Sequence, residues 1–270
     1  PSLFPKRNAD SVKDTSIKSL WVYDFYDLES SKRIDQESKH TIYYFAGGGF
    51  QTPPSSEHWK FCAHLASCLP SSRLILVSYP LAPHSPARDS LPLLRRWLTQ
   101  ALRESADEGG TVTLVGDSSG ANIALSLGLW SQDSVDCYRC LRSVLVISPP
   151  TDMHEVYPAV DAPDLVLGKE VADAVAEVWC AGADRTDPYL SPIFADLGNL
   201  CESGIEIDGV IGTADVLAPD ALKFLESCRG KGVKGSWLVW DGQMHCFPLA
   251  ACYGLWEGRE ARNWVVDRLR

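Results

Sequence analysis

The chain has 270 residues, 45% of them hydrophobic and 22% charged, with a formal net charge of −10. That is ample apolar material for a core, and the acidic balance argues against nucleic-acid or anionic-membrane partners. No apolar run is long enough to span a bilayer, and there is no basic run, repeat or low-complexity tract.

In chain order, residues 19–27 alternate like an outer strand and lead into a polar turn at 30–38. Strand patterns follow at 41–45, 74–78, 111–115, 143–147, 206–211 and 236–240. Helical patterns fit at 56–68, 89–104, 118–130, 219–229 and 253–270. The central strands are rich in Val, Ile and Leu with little polar alternation, as expected where helices cover both sheet faces. The class is therefore α/β, with a mostly parallel central sheet flanked by helices and right-handed crossovers. One stretch breaks the rhythm: about sixty residues separate the strands near 148 and 207, with a helical pattern at 169–180. A long insertion at the active-site end of a sheet reads as a helical cap, here about 150–195; plain surface elaboration is the alternative. The expected organisation is a single domain over 1–270, with the N-terminal segment contributing to the cap.

Nine cysteines, an odd number without a disulfide framework, favour a reducing, cytoplasmic setting. Residues 1–6 carry no signal-peptide pattern, although the chain does not begin with Met. Cys137 and Cys140 form a single C-x-x-C pair, and a structural zinc site needs two more ligands. Cys62, His64 and Cys68 fall in a helical pattern, where cysteine is usually a small buried hydrophobe. No metal site is expected.

The chemistry concentrates at Gly116-Asp117-Ser118-Ser119-Gly120, between the strand pattern 111–115 and an apolar helical run. Strand, G-x-S-x-G, helix is the context of a nucleophile elbow, in which a strained turn exposes the serine Oγ. The flanking glycines are needed because a Cβ there would collide with neighbouring backbone. A serine hydroxyl needs a base, and the base an orienting acid. Of six histidines only His154 and His245 follow Ser118, and His245 lies in the loop after the last strand. Asp215 sits just past the strand 206–211, ahead of Asp220 in the first turn of a helix, while Asp208 falls early in the strand. The glycines of Ala46-Gly47-Gly48-Gly49-Phe50, after the strand 41–45, can turn backbone N–H groups toward a substrate oxygen. They match neither phosphate-binding glycine pattern.

In this order the residues resemble the hormone-sensitive-lipase-type branch of the α/β-hydrolases. That family carries H-G-G-G on the oxyanion loop, G-D-S-A-G at the elbow, and Asp and His in later loops. The counterparts are Ala46-Gly47-Gly48-Gly49, Gly116-Asp117-Ser118-Ser119-Gly120, Asp215 and His245. Tyr79-Pro80-Leu81-Ala82-Pro83, Ser148-Pro149-Pro150-Thr151-Asp152 and the stretch 191–197 extend the likeness over about 41–247. The resemblance implies an α/β-hydrolase fold with an eight-stranded sheet and an oxyanion hole from the amides of Gly48, Gly49 and Ser119. It further implies no cofactor and a monomer or homodimer. Two departures stand out: Ala46 replaces the family histidine, and the segment before the first strand is short.

The expected activity is serine hydrolysis of a carboxylic ester, or a related acyl bond, of a small, largely apolar molecule. Phe50, Trp179 and Tyr189 are candidate pocket walls, with core packing the alternative for each. Acyl transfer or non-hydrolytic chemistry in secondary metabolism would use the same machinery. A non-catalytic small-molecule receptor, the remaining reading, would have lost the histidine that His245 supplies.

Overall fold

The apolar runs become strands because each offers a buried side chain to both faces of one sheet. The computed structural model describes residues 6–7, 20–25, 39–134, 138–154, 164 and 166–270. Its strands are β1 (Lys6–Arg7), β2 (Trp21–Phe25), β3 (His40–Phe45) and β4 (Ser72–Ser78), then β5 (Thr111–Asp117), β6 (Leu141–Ile147), β7 (Glu206–Gly212) and β8 (Trp237–Trp240). Among the described residues they form one eight-stranded sheet in the order β1-β2-β4-β3-β5-β6-β7-β8. β2 pairs antiparallel with β1 and β4, and every pair from β4 to β8 is parallel. The outer strand expected at 19–27 is β2, while the polar turn expected at 30–38 lies outside the described residues.

The helices are α1 (Ser56–Cys68), α2 (Ala87–Asp107), α3 (Ser119–Ser134), α4 (Lys169–Cys180), α5 (Gly198–Ser203), α6 (Ala218–Gly230) and α7 (Trp256–Leu269). The helix expected over 253–270 starts later. Residues Phe247–Tyr253 form a 3₁₀ turn, and Gly254, with φ of 86°, separates it from α7. Neighbouring strand residues feed opposite cores. Ile42, Tyr44, Leu74 and Leu76 pack on one side with Phe61 and Leu65 of α1 and Val265 of α7. Phe45, Ile75 and Val77 pack on the other with Leu94 and Trp97 of α2 and Ile123 of α3. This alternation explains why the strands read as continuous apolar runs.

With the central strands parallel, their carboxyl ends lie along one edge, where a ligand site is expected in such sheets. The loops after β3, β5, β7 and β8 carry Gly48, Ser118, Asp215 and His245 respectively. The insertion after β6 is pinched at its base. Asn122 of α3, fully buried, donates from Nδ2 to Pro150 O and to Leu190 O, each at 2.9 Å. Ile193 N bonds Thr151 O at 3.0 Å, and Met153 N bonds Ser191 Oγ at 2.8 Å.

Asn122→Ala strands two buried carbonyls without donors, so it should lower the unfolding free energy by about 2–3 kcal/mol. Urea denaturation of the purified variant checks this; an unchanged midpoint would show that the pinch carries no stability.

Candidate active site

The turn between β5 and α3 is too crowded for side chains. A Cβ on Gly116 would stand 2.3 Å from Gly120 O, and one on Gly120 would stand 2.0 Å from Phe45 O. Ser118, between them, takes a left-handed conformation with φ of 50°. Its amide bonds Ile147 O at 2.8 Å, anchoring the turn to β6.

The loops after β7 and β8 complete a relay. His245 Nε2 lies 2.9 Å from Ser118 Oγ, and His245 Nδ1 lies 2.9 Å from Asp215 Oδ2. With the ring neutral, Nδ1–H donates to the carboxylate and Nε2 offers its lone pair to the serine O–H. Asp215 Oδ1 also accepts the Leu217 amide at 2.9 Å, which fixes the carboxylate plane. Both members are buried, Asp215 at 1% and His245 at 6% exposure. Burial disfavours charge on the imidazole, yet the Asp215 carboxylate outweighs it and raises the His245 pKa well above the ordinary value. The competing residues lie elsewhere. Asp220 pairs with Lys223 at 3.2 Å, Asp208 with Arg268 at 3.0 Å, and His154 is exposed beside Phe194.

After β3, Gly48 and Gly49 have φ of 127° and 60°. Gly48 O turns inward and accepts the amides of Gln51 at 3.1 Å and Thr52 at 3.0 Å. Among the described residues, no protein group accepts from the amides of Gly48, Gly49 or Ser119. The loop carries Ala46 where the family has histidine, and it is braced through its backbone instead. Tyr79 O–H donates to Ala46 O at 2.9 Å, and Gly47 N–H donates to Asp117 Oδ1 at 3.1 Å. The buried Asp117 also accepts from Tyr44 O–H at 2.7 Å, and its Oδ2 lies 3.1 Å from His58 Nε2.

A cavity of about 630 Å³ opens on Ser118 and His245. Its walls are mainly apolar, among them Phe50, Met153, Leu167, Val175, Leu217 and Leu249. Of the three expected wall residues, Phe50 lines it and the other two do not. Trp179 is fully buried behind Phe50, its ring stacked at 4.1 Å and 6°. Tyr189 lies under the Arg95 guanidinium, 4.3 Å from the ring centroid. Helical aromatics meet whichever surface their face presents, and for Trp179 that is the back of the oxyanion loop. Cys246 also lines the cavity, but burial pushes its thiol up to about 11, so it stays protonated near neutrality.

Sequence reasoning missed Asp164. Its carboxylate accepts the amides of Val216 at 3.3 Å and His245 at 3.4 Å, linking the insertion to both loops of the relay. Asp164, Asp215 and His245 offer ligand atoms all within 4.8 Å of one another, the one such cluster among the described residues. The cysteine–histidine set of α1 forms no such cluster there, and the eight described cysteines are free. No sequence signal marks Asp164, which sits in a stretch without periodicity. His58 precedes Ser118 and so falls outside the Ser–Asp–His chain order.

A family model described as alpha/beta hydrolase fold matches residues 42–249. The chain belongs to that family. It is similar to an esterase of Acinetobacter venetianus, 25% identical over 212 residues that span 77% of this chain and 67% of the relative. An acetyl-hydrolase of Streptomyces hygroscopicus is 26% identical over 224 residues, 79% of this chain and 70% of that protein. Among solved structures, the hyperthermophilic esterase of the archaeon Pyrobaculum calidifontis aligns with a TM-score of 0.76 at 20% identity, covering 93% of this chain and 78% of its own. That last likeness concerns the fold. This hydrolase also has no helix among its described residues long and apolar enough to cross a membrane.

The electrostatics of the relay are measurable directly. In an NMR titration, His245 should titrate above the ordinary 6.5. Asp215→Asn removes the carboxylate that opposes the burial of the imidazole, so the value should fall below that of the unmodified protein; equal values would contradict the pairing.

Proposed function

We propose that this chain hydrolyses carboxylic esters of small, largely apolar molecules through an acyl-enzyme on Ser118. The observation that carries the reading is the continuous relay from Ser118 Oγ through His245 to Asp215, with both contacts at 2.9 Å. The esterase and acetyl-hydrolase names of similar proteins support it.

In this mechanism Ser118 Oγ attacks the ester carbonyl as His245 Nε2 takes its proton. Asp215 holds the ring tautomer and stabilises the imidazolium. The amides of Gly48, Gly49 and Ser119 receive the oxyanion; a single such donor is worth about 3 kcal/mol of transition-state stabilisation. Collapse breaks the ester C–O bond, and His245 returns the proton to the departing alkoxide. Water, deprotonated by the same histidine, then attacks the acyl carbon; the Ser118 Oγ–acyl bond breaks, His245 returns the proton to Oγ, and the acid leaves. No step needs a metal or organic cofactor.

Residues 150–195 act as a cap in this reading. Support comes from α4, whose Val175 lines the cavity and whose Trp179 backs Phe50. The apolar walls fit an acyl chain or an apolar alcohol.

Ser118→Ala should reduce hydrolysis of p-nitrophenyl butyrate by at least about 10⁴-fold in kcat with the fold intact. Steady-state kinetics with a circular dichroism control test this. Turnover equal to that of the unmodified protein would refute the acyl-enzyme.

A further inference from the structure

A second histidine–aspartate pair lies behind the oxyanion loop, and its geometry excludes the obvious role. His58 is 7% exposed and lines the cavity, as a proton-transfer group would. Both of its ring nitrogens are already engaged. Nδ1 accepts the Ser55 amide at 3.0 Å and lies 2.8 Å from Ser55 Oγ, while Nε2 lies 3.1 Å from Asp117 Oδ2. A backbone amide can only donate, so Nδ1 must carry the lone pair and Nε2 the proton. The ring is therefore a one-way connector: Ser55 N–H to Nδ1, then Nε2–H to the Asp117 carboxylate.

Asp117 joins the two parts of the site that handle negative charge. It directly precedes Ser118 in the chain, and its Oδ1 accepts Gly47 N–H, one residue before the proposed oxyanion donors. The contact is close: a Cβ on Gly47 would stand 2.4 Å from Asp117 Oδ2. A buried carboxylate with free lone pairs beside an oxyanion hole would oppose the charge formed there. Here Tyr44 O–H, Gly47 N–H and His58 Nε2–H donate to that carboxylate and occupy its lone pairs, and Cys246 Sγ lies 3.8 Å from Oδ2. Of these three donors, His58 is the one on a separate helix, α1, so it ties the loop to the scaffold.

We propose that His58, acting through Asp117, is a positioning residue that aligns the oxyanion loop in place of any side chain at position 46. The proposal rests on the acyl-enzyme reading above.

The test compares His58→Phe, which keeps a ring and removes both bonds, with His58→Gln, whose amide supplies one acceptor and one donor. Asp117→Asn is a near-isosteric second variant that sets a donor against Nε2–H and remains informative if His58→Phe fails to fold. Each folded variant is assayed for kcat and KM on p-nitrophenyl butyrate, and for the Ki of phenylboronic acid, whose tetrahedral adduct on serine puts an oxygen into the hole. His58→Phe and Asp117→Asn should each lower kcat about 10–100-fold with KM changed less than about threefold, since misalignment acts on the transition state. The boronate Ki should rise by the same factor, the double variant should lose no more than either single one, and His58→Gln should recover to within about threefold. Folded variants with unmodified kcat and Ki would overturn the proposal. So would a loss of kcat with unchanged boronate affinity, or a His58→Gln no better than His58→Phe. If the acyl-enzyme reading itself is wrong, the unmodified protein will neither turn over the ester nor bind the boronate, a result separate from all of these.

Discussion

The left-handed backbone at Ser118 is the constraint from which the rest of the site follows. A non-glycine residue in that conformation costs about 1–3 kcal/mol and persists only where its surroundings impose it. The imposing contacts are backbone against backbone. Gly116 packs on the carbonyl of Gly120, and Gly120 packs on the carbonyl of Phe45, which ends β3. The elbow and the oxyanion loop are thus pressed together at one point, and neither can move without the other. The parallel sheet supplies that point by ending β3 and β5 side by side, with Phe45 registered on Gly116.

This close packing also explains how the loop tolerates Ala46. The loop is held by main-chain groups: Tyr79 on the Ala46 carbonyl and Asp117 on the Gly47 amide. A small residue at position 46, only 2% exposed, fits between the strand end and the core below it. The backbone of the loop is thus held by Tyr79, just past β4, and by Asp117 at the end of β5. A buried carboxylate held by Tyr44, Gly47 and His58, with the Cys246 thiol at 3.8 Å, is a rigid support, because each lost donor leaves its charge less well satisfied in a low-dielectric site.

Much of this was legible in the sequence, for identifiable reasons. Ser118, Asp215 and His245 stand just past apolar strands, and a parallel sheet collects such positions at one edge. The helical patterns expected at 56–68 and 169–180 coincide with α1 and α4. What was illegible depends on faces and on distant partners. Trp179 read as a pocket wall but packs behind Phe50, since composition does not say which side of α4 meets the loop. Asp164 reaches the relay through backbone amides of Val216 and His245, contacts that no side-chain pattern announces. His58 lay outside the Ser–Asp–His chain order. Its one local trace is the Ser55–His58 spacing of a helix cap, visible only once Nδ1 is seen to accept the Ser55 amide.

Whether Ser118 is the nucleophile of a preassembled acyl-transfer site is decided by covalent labelling. The unmodified protein is treated with a fluorophosphonate, digested and mapped by mass spectrometry. One stoichiometric adduct is expected on the peptide containing Ser118, abolished in His245→Ala, because the hydroxyl is reactive only with its base in place. Absence of labelling, or an adduct on another residue, would contradict that role.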